Sequence, residues 1–406
     1  MTQSLDARRA DAASLEPALT ALREQTLALF NATRAALGGK LDIAYAEEVN
    51  LPLWELGHVG WFEEFWIARN SERHLGHRAR LEAARAAPQR VGADALYDSS
   101  TVAHAKRWQL NLPGARHTAS HLAHVRERTL SLLRAAGDSD DALYFFRWAL
   151  MHEAMHHEAG LMIAQGLGLP VSDSAPKAAA ARSECAVAGD MLTVGGDSGG
   201  FAFDNELGEH SVDVASFTID SAAVTWRAWL PFFEAGGYGD ASHWRDEGWA
   251  WRQRALPNGL PRHVTADDAF EHGLKRAVFG RWQALELDAP AIHLSAHEAH
   301  AWCRWAGRRL PTEHEWLLAQ QQLGDDFAWG EVWEWTASPF APWPGFEPHP
   351  YRDYSAPWFD GRPVLKGGSF ATQPFMKHPR YRNYFPAGRN DVFAGFRTCT
   401  DTHRSP

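Results

Sequence analysis

Residues 151–158 read MHEAMHHE. On a helix, His152 and His156 lie one turn apart and project from the same face, so both imidazoles can reach one metal ion. Two ligands leave a site open, and a third must come from elsewhere. His58 is the candidate. It lies within LGHVGWFEEFW, residues 56–66, a run so apolar and aromatic that an unpaired imidazole would be costly to bury there. A metal would satisfy it. The same run also spells HEAMH and fits the zinc-peptidase pattern H-E-x-x-H, with Glu153 as general base and a zinc-bound water as nucleophile. No H-x-x-G-x-x-H extension follows, because the next residues are AGLMIAQG. Three fixed letters also carry limited weight in a chain with 21 histidines among 406 residues. His157 points about 100° away from His156 around such a helix, which assigns it to surface or packing.

These residues need rigid elements. Apolar residues recur every three to four positions over 15–37, 51–69, 117–136 and 141–166, which predicts four long helices and hence a bundle. Asp140 or Asp141 is the expected N-cap of the last helix, and Gly168-Leu169-Pro170 its stop signal. The connection over 70–116 is too long for a bundle turn and too polar for a core, which suggests a functional segment or a wrap around a second domain. Residues 171–188, small and polar, read as a linker. From Gly189 the chain is rich in Gly, Pro and Trp, with short strand-like runs (MLTVGG, HSVDVASFTID, RPVLKGGSF, FAGFRTC) and one helical run over 296–307. The organisation expected is a helical domain over 1–170, a linker over 171–188 and an irregular α+β domain over 189–406.

Composition sets outer limits. A chain of 406 residues predicts two to three domains. The net charge of −10 argues against a nucleic-acid or anionic-membrane surface. No run of apolar residues is long enough to span a membrane, and the N-terminus lacks the apolar core of a secretory signal. Three widely spaced cysteines exclude a disulfide scaffold and fit a reducing cytoplasm. The 19 tryptophans supply core, and they also suit pockets for flat or cationic ligands.

The second half resembles the formylglycine-generating, sulfatase-modifying-factor fold, a relative of C-type lectin domains. The segments that carry the resemblance are GGDSGGFAFDN (195–205), WRDEGWAWR (244–252), EAHAWCRWAGRRLPTEHEW (298–316), VWEWT (332–336), KGGSF (366–370), YRNYF (381–385) and FAGFR (393–397). The first half resembles a DinB-like four-helix bundle. Bundle and domain in this order are similar to the ergothioneine-type synthases, and WELGHVGWFEEFWIARN, YDSSTVAH and DALYFFRWAL resemble the selenoneine synthase branch. The resemblance implies an Fe(II) enzyme that uses O2 to join a chalcogen to the imidazole C2 of hercynine, the trimethylated betaine of histidine. Its partners would be small molecules: hercynine, O2, and a selenosugar or thiol donor.

The resemblance also implies roles. His58, His152 and His156 match the family's iron ligands, and Glu158, completing H-x3-H-x-E, would orient a ligand ring. Tyr354, with Tyr351 as the near alternative, matches the tyrosine that supplies a proton or electron. Asn390 and Asp391 match the position that meets the trimethylammonium, though Asn-Asp is also a turn pair. Arg380 or Arg382 would pair a substrate carboxylate or form a structural ion pair. Met155 stands where the sulfur-using branch has a glutamine that approaches the substrates. That branch's donor-binding arginines have no match between the second and third helices, where Asp98, Ser99, Ser100, His104, Lys106 and Arg107 stand instead. Both departures favour a selenosugar over γ-glutamylcysteine. Cys303 and Cys399 do not fit the copper-binding cysteine pair of the formylglycine-generating enzymes and read as packed core thiols.

Overall fold

The computed structural model describes residues 5–178, 182–196 and 199–401. Helix α1 (Ala12–Ala36) begins where Asp11 accepts a hydrogen bond from the Ser14 amide. α2 (Pro52–Glu63) begins at a proline, whose missing N–H costs nothing in a first turn, and continues as a π-helical turn over Glu64–Ala68. α3 (Ala93–Tyr97) is a single short helix. α4 (Ala115–Arg134) and α5 (Asp140–Gly166) complete the bundle. Ser139 caps α5 through the Ala142 amide, and Asp140 and Asp141 place negative charge at the positive end of the helix dipole.

The bundle packs around α5, whose Leu143, Phe146, Leu150 and Ala154 are almost fully buried. Its centre also holds four charges. Arg23 of α1 bonds Glu153 of α5 and Glu63 of α2, each at 2.7 Å. Arg126 of α4 bonds Glu63 at 2.9 Å and Glu153 at 2.6 Å. One alternating network therefore ties all four long helices together, with each carboxylate between two guanidiniums.

The 70–116 connection stays on its own bundle. A 3-10 turn (Arg73–Arg78) packs on α5, α3 packs on α2, and a second 3-10 turn (His104–Gln109) carries Arg107. It touches the second half where Ser99 meets the Tyr351 hydroxyl at 3.3 Å and Arg352 meets Glu82 at 3.2 Å.

The second half opens with β1 (Glu184–Val187), which pairs antiparallel with β4 and sets Cys185 opposite Ile219. This corrects the reading of 171–188 as linker throughout: ECAV is too short for strand alternation to be visible. β2 (Asp190–Val194) and β3 (His210–Val214) form a two-stranded ribbon, and β4 (Phe217–Asp220) lies at the centre of a three-stranded sheet. α6 (Trp226–Glu234) and α7 (Asp246–Ala255) precede a meander of β5 (Val264–Ala266), β6 (Leu274–Val278) and β7 (Arg281–Ala284). α8 (Ala296–Trp305) and α9 (Glu313–Leu323) each start at a capping box, Ser295 with Glu298 and Thr312 with Glu315. β8 (Trp333–Pro339), β9 (Pro363–Lys366), β10 (Asn383–Tyr384) and β11 (Ala394–Gly395) form a sheet ordered β10-β9-β8-β11. β12 (Cys399–Asp401) returns to β4. Trp226, Trp229, Trp316, Trp333 and Trp335 are fully buried, so much of the tryptophan excess is core. Cys303 and Cys399 are buried as thiols, and Cys399 Sγ lies against Arg309.

The two halves meet along α5. Glu158 turns away from His156's neighbourhood and accepts hydrogen bonds from Trp333 Nε1 (2.8 Å), Ser369 Oγ (2.6 Å) and Thr372 Oγ1 (2.8 Å). At its last turn, Gln165 bonds both the Ala277 carbonyl and the Phe279 amide. Near its start, the Tyr144 hydroxyl meets His349 Nδ1 at 2.9 Å. Arg8, before α1, forms a two-pronged pair with Glu206 at 2.6 and 2.7 Å.

Candidate metal centre

His58, on α2, meets His152 and His156 on α5. One ring nitrogen from each lies within 4.8 Å of the others. His58 Nδ1 contacts the Tyr97 carbonyl at 2.8 Å, so that nitrogen carries the proton. His156 Nδ1 contacts Glu55 at 2.5 Å, so that nitrogen carries its proton and donates to the carboxylate. Both rings therefore keep a bare Nε2, the form a metal ligand needs. His152 lies flat on Phe62, with ring centroids 3.5 Å apart and 6° between planes. Trp54 stacks on His58 at 4.8 Å and 10°.

Burial favours the neutral form of His58 and His152. Burial, then the charge of neighbouring His156, pushes His58 down to about 3. Burial, then the other two histidines, pushes His152 well below the ordinary range. Burial alone would raise the Glu55 carboxyl, but His156, and behind it His58 and Arg107, outweigh it and hold Glu55 at about 2. The result is a cluster of three imidazoles, two of them buried, backed by one carboxylate, a donor set that fits a divalent transition metal. An octahedral ion held by three imidazoles keeps up to three positions for substrates.

Glu153 does not face this cluster. Its carboxylate is only 1% exposed and is held by Arg23 and Arg126, so it cannot serve as base to a metal-bound water. The peptidase reading of HEAMH fails on that geometry. Glu158 is likewise corrected: it fastens the second half of the chain, and Glu55 is the carboxylate that orients one of the clustered rings. The signal for Glu55 was present in WELGH, where Glu55 and His58 are three apart on one helix face.

The second half packs two tyrosines on residues beside the cluster. Tyr354 stacks on Phe203 and meets Trp148 edge-on, and its hydroxyl points at Met155 Sδ, 3.9 Å away. Tyr351 meets Phe62, the ring under His152, edge-on at 5.2 Å. Tyr354 and Met155, separated by 199 positions, are thus brought together.

Comparison with known proteins bears on this arrangement. The family described as "Sulfatase-modifying factor enzyme 1-like domain" matches residues 172–331 and 320–402. The hercynine oxygenase of Mycobacterium tuberculosis is 32% identical over 402 residues, covering 86% of this chain and 90% of that protein. The chain belongs to the hercynine oxygenase family. The enzyme of that name from Mycolicibacterium smegmatis is 31% identical and covers 96% of this chain and 99% of its own. "Ergothioneine biosynthesis protein 1" of Neurospora crassa is 38% identical over 100 residues, 24% of this chain and 11% of that protein.

The remaining residues matched to the hercynine oxygenase family by motif lie as follows. Asn390 and Asp391 are buried rather than in a solvated turn. Asn390 Oδ1 accepts from Arg262 at 3.4 Å. Asp391 is gripped by Arg389 at 2.5 and 2.6 Å, and that guanidinium also covers Phe385, 5.1 Å from its centroid. An internal cation thus occupies the aromatic-and-carboxylate setting expected for a trimethylammonium. Arg382 is fully buried, with its nitrogens on Glu313, the Asn205 carbonyl and the Ala341 carbonyl. It is a structural ion pair and not a substrate contact. Arg380 bonds the Glu206 carbonyl at 3.4 Å, beside the Arg8–Glu206 pair. Among the described residues, no helix is long and apolar enough to cross a membrane.

Proposed function

We propose that this protein is an Fe(II)- and O2-dependent synthase that joins selenium from a selenosugar to the imidazole C2 of hercynine. The observation that carries the metal part is the convergence of His58, His152 and His156, with two of the three Nδ1 atoms committed to acceptors. The hercynine part rests on kinship with proteins named hercynine oxygenase.

Bound iron would supply the one-electron and oxygen chemistry that side chains lack. The chain's own residues do the rest. The three imidazoles hold the ion, and Glu55 and the Tyr97 carbonyl fix two of their tautomers. Phe62, Trp54 and Trp148 wall the cluster with rings and exclude water. Tyr354 holds a hydroxyl proton against Met155 Sδ, the residue before His156. Burial raises its phenol well above the ordinary value, so it remains a proton donor at neutral pH. Asn390 presents an amide next to Asp391, whose carboxylate meets a trimethylammonium only if Arg389 swings aside.

Two features support the selenosugar. Ser99 and Tyr351 bring two hydroxyls together where the 70–116 connection meets the second half, and hydroxyls suit a polyol better than a dicarboxylate peptide. Arg107, the buried arginine of that segment, already donates to Asn50 at 2.7 Å. Met155 adds a polarizable thioether beside Tyr354. One observation favours a second reading, sulfur transfer from a thiol: the relative named for ergothioneine biosynthesis.

The test is a donor competition. Fe(II)-loaded protein receives hercynine and O2 with selenoglucose, γ-glutamylcysteine or cysteine, and products are read by mass spectrometry. Carbon–selenium product from selenoglucose alone is expected. Turnover with a thiol alone would replace selenium by sulfur, and hercynine left untouched with every donor would overturn the reading.

A further inference from the structure

Two of the three clustered imidazoles are held, by separate routes, from one side chain. The first route is a hydrogen-bond relay. Arg107 Nη1 donates to Asn50 Oδ1 at 2.7 Å, and Asn50 Nδ2 donates to Glu55 Oε1 at 2.6 Å. Glu55 Oε2 then accepts from His156 Nδ1. The guanidinium fixes which end of the Asn50 amide is oxygen, so the amide must offer its N–H to Glu55. The carboxylate is thereby aligned to accept the imidazole Nδ1–H, and Nε2 of His156 is left bare. The second route is a stack. The Arg107 guanidinium carbon lies 3.7 Å over the Trp54 ring, and Trp54 lies parallel to His58. Consecutive carbonyls of the 70–116 connection key both rings: Leu96 accepts from Trp54 Nε1 and Tyr97 from His58 Nδ1, each at 2.8 Å.

Arg107 is held in turn. It is 9% exposed, and its 3-10 turn is pinned to the segment before α2. His104 Nε2 contacts the Val49 carbonyl at 2.8 Å, and Trp108 Nε1 donates to the Ile43 carbonyl at 2.9 Å. A rigid block of 43–50 and 104–109 thus carries one guanidinium whose edge leads to His156 and whose face leads to His58. A lysine could match the charge but not a flat face and a directed edge together.

We infer that Arg107 is the positioning residue of the metal centre: through Asn50 and Glu55, and through Trp54, it sets the orientation of His156 and His58 and so the affinity and ligand field of the bound ion. This rests on the metal reading of the three histidines, but not on which reaction follows.

The test uses Co(II) as a probe on the full chain, titrated by its visible d–d absorption, with melting of the metal-free protein recorded alongside. Arg107→Met keeps the apolar stem, and Asn50→Leu breaks the relay without touching the stack. Both are expected to weaken Co(II) binding on the order of 10-fold or more, as loss of partners behind metal ligands does, and to shift the d–d bands. Arg107→Lys should recover part of the affinity and not the wild-type spectrum. A residue that served only to hold the fold would lower melting and leave the spectrum of the loaded protein unchanged. Wild-type affinity and superimposable spectra in folded Arg107→Met and Asn50→Leu would overturn the inference alone. Should Arg107→Met fail to fold, Asn50→Leu decides. A wild-type protein that takes up no Co(II), or a His58→Ala variant that binds it equally well, would remove the metal centre and this inference with it.

Discussion

At the scale of single residues, the cluster makes demands that substitutions can probe. His58→Ala, His152→Ala and His156→Ala should each weaken metal binding on the order of 100-fold, read as metal per chain after gel filtration; full occupancy in any of them would strike that residue from the ligand set. Gly57, beside His58, has no room for a side chain. A Cβ there would stand 2.2 Å from the Tyr97 ring, and the Tyr97 carbonyl holds His58. Gly57→Ala should therefore cost about 1–3 kcal/mol of stability and disturb the metal spectrum as well. A urea midpoint and a Co(II) spectrum that both match wild type would contradict this. Tyr354→Phe should lower kcat about 100-fold with little change in the KM for hercynine, and Tyr351→Phe should do less; the reverse order would move the proton donor to Tyr351. His152 and His156 were legible in the sequence because helical spacing alone aligns them, and His58 because its surroundings were so apolar. Asn50 and Arg107 were not. They are 57 positions apart, and nothing local announces that a polar loop residue and a 3-10 turn meet behind a ligand.

At the scale of elements, the four helices were visible as apolar periodicity, but the charges inside them were not readable as core. Glu63 and Glu153 fall in runs that look like ordinary helix, and only packing shows that Arg23 and Arg126 complete them. Burial pushes the Glu63 carboxyl up; Arg126 and Arg23 outweigh it and hold it at about 2, against the ordinary 4.5. The unfolded chain therefore takes up this proton first as pH falls. The stabilisation is complete above about pH 4.5 and is lost between there and about pH 2. Glu153 is lowered in the same direction by the same two arginines, against burial. Glu63→Gln should cost about 3–5 kcal/mol at neutral pH, because it leaves two buried guanidiniums short of a carboxylate, and should flatten the acid limb. Urea midpoints at several pH values check both statements, and an unchanged acid limb would count against the network. The 171–188 stretch shows the opposite limit: a strand of four residues has too few positions for its alternation to stand out from a linker.

At the scale of the whole molecule, the two halves were expected to be joined by a linker, and the joint is instead α5 itself. Its His152 and His156 point at the histidine cluster, while Glu158 takes three hydrogen bonds from the second half. Glu158→Ala leaves buried donors on Trp333, Ser369 and Thr372 without an acceptor. It should cost about 2–4 kcal/mol and split a single calorimetric transition into two. A single transition at an unchanged midpoint would show that the halves are coupled elsewhere. The sequence motif H-x3-H-x-E contained both roles, but only the side-chain directions distinguish the ligands from the fastener.

The placement of the histidines on α2 and α5 has a thermodynamic consequence. An ion bound there would be a reversible cross-link between segments 94 positions apart (152 − 58). Because the unfolded chain has no such site, free metal adds RT ln(1 + [M]/Kd) to folding stability, about 2.7 kcal/mol at one hundred times Kd. The melting temperature of this protein should then rise with the logarithm of metal concentration above Kd, and a chelator should return it to the metal-free value. Heat resistance in the cell would thus track the supply of the ion.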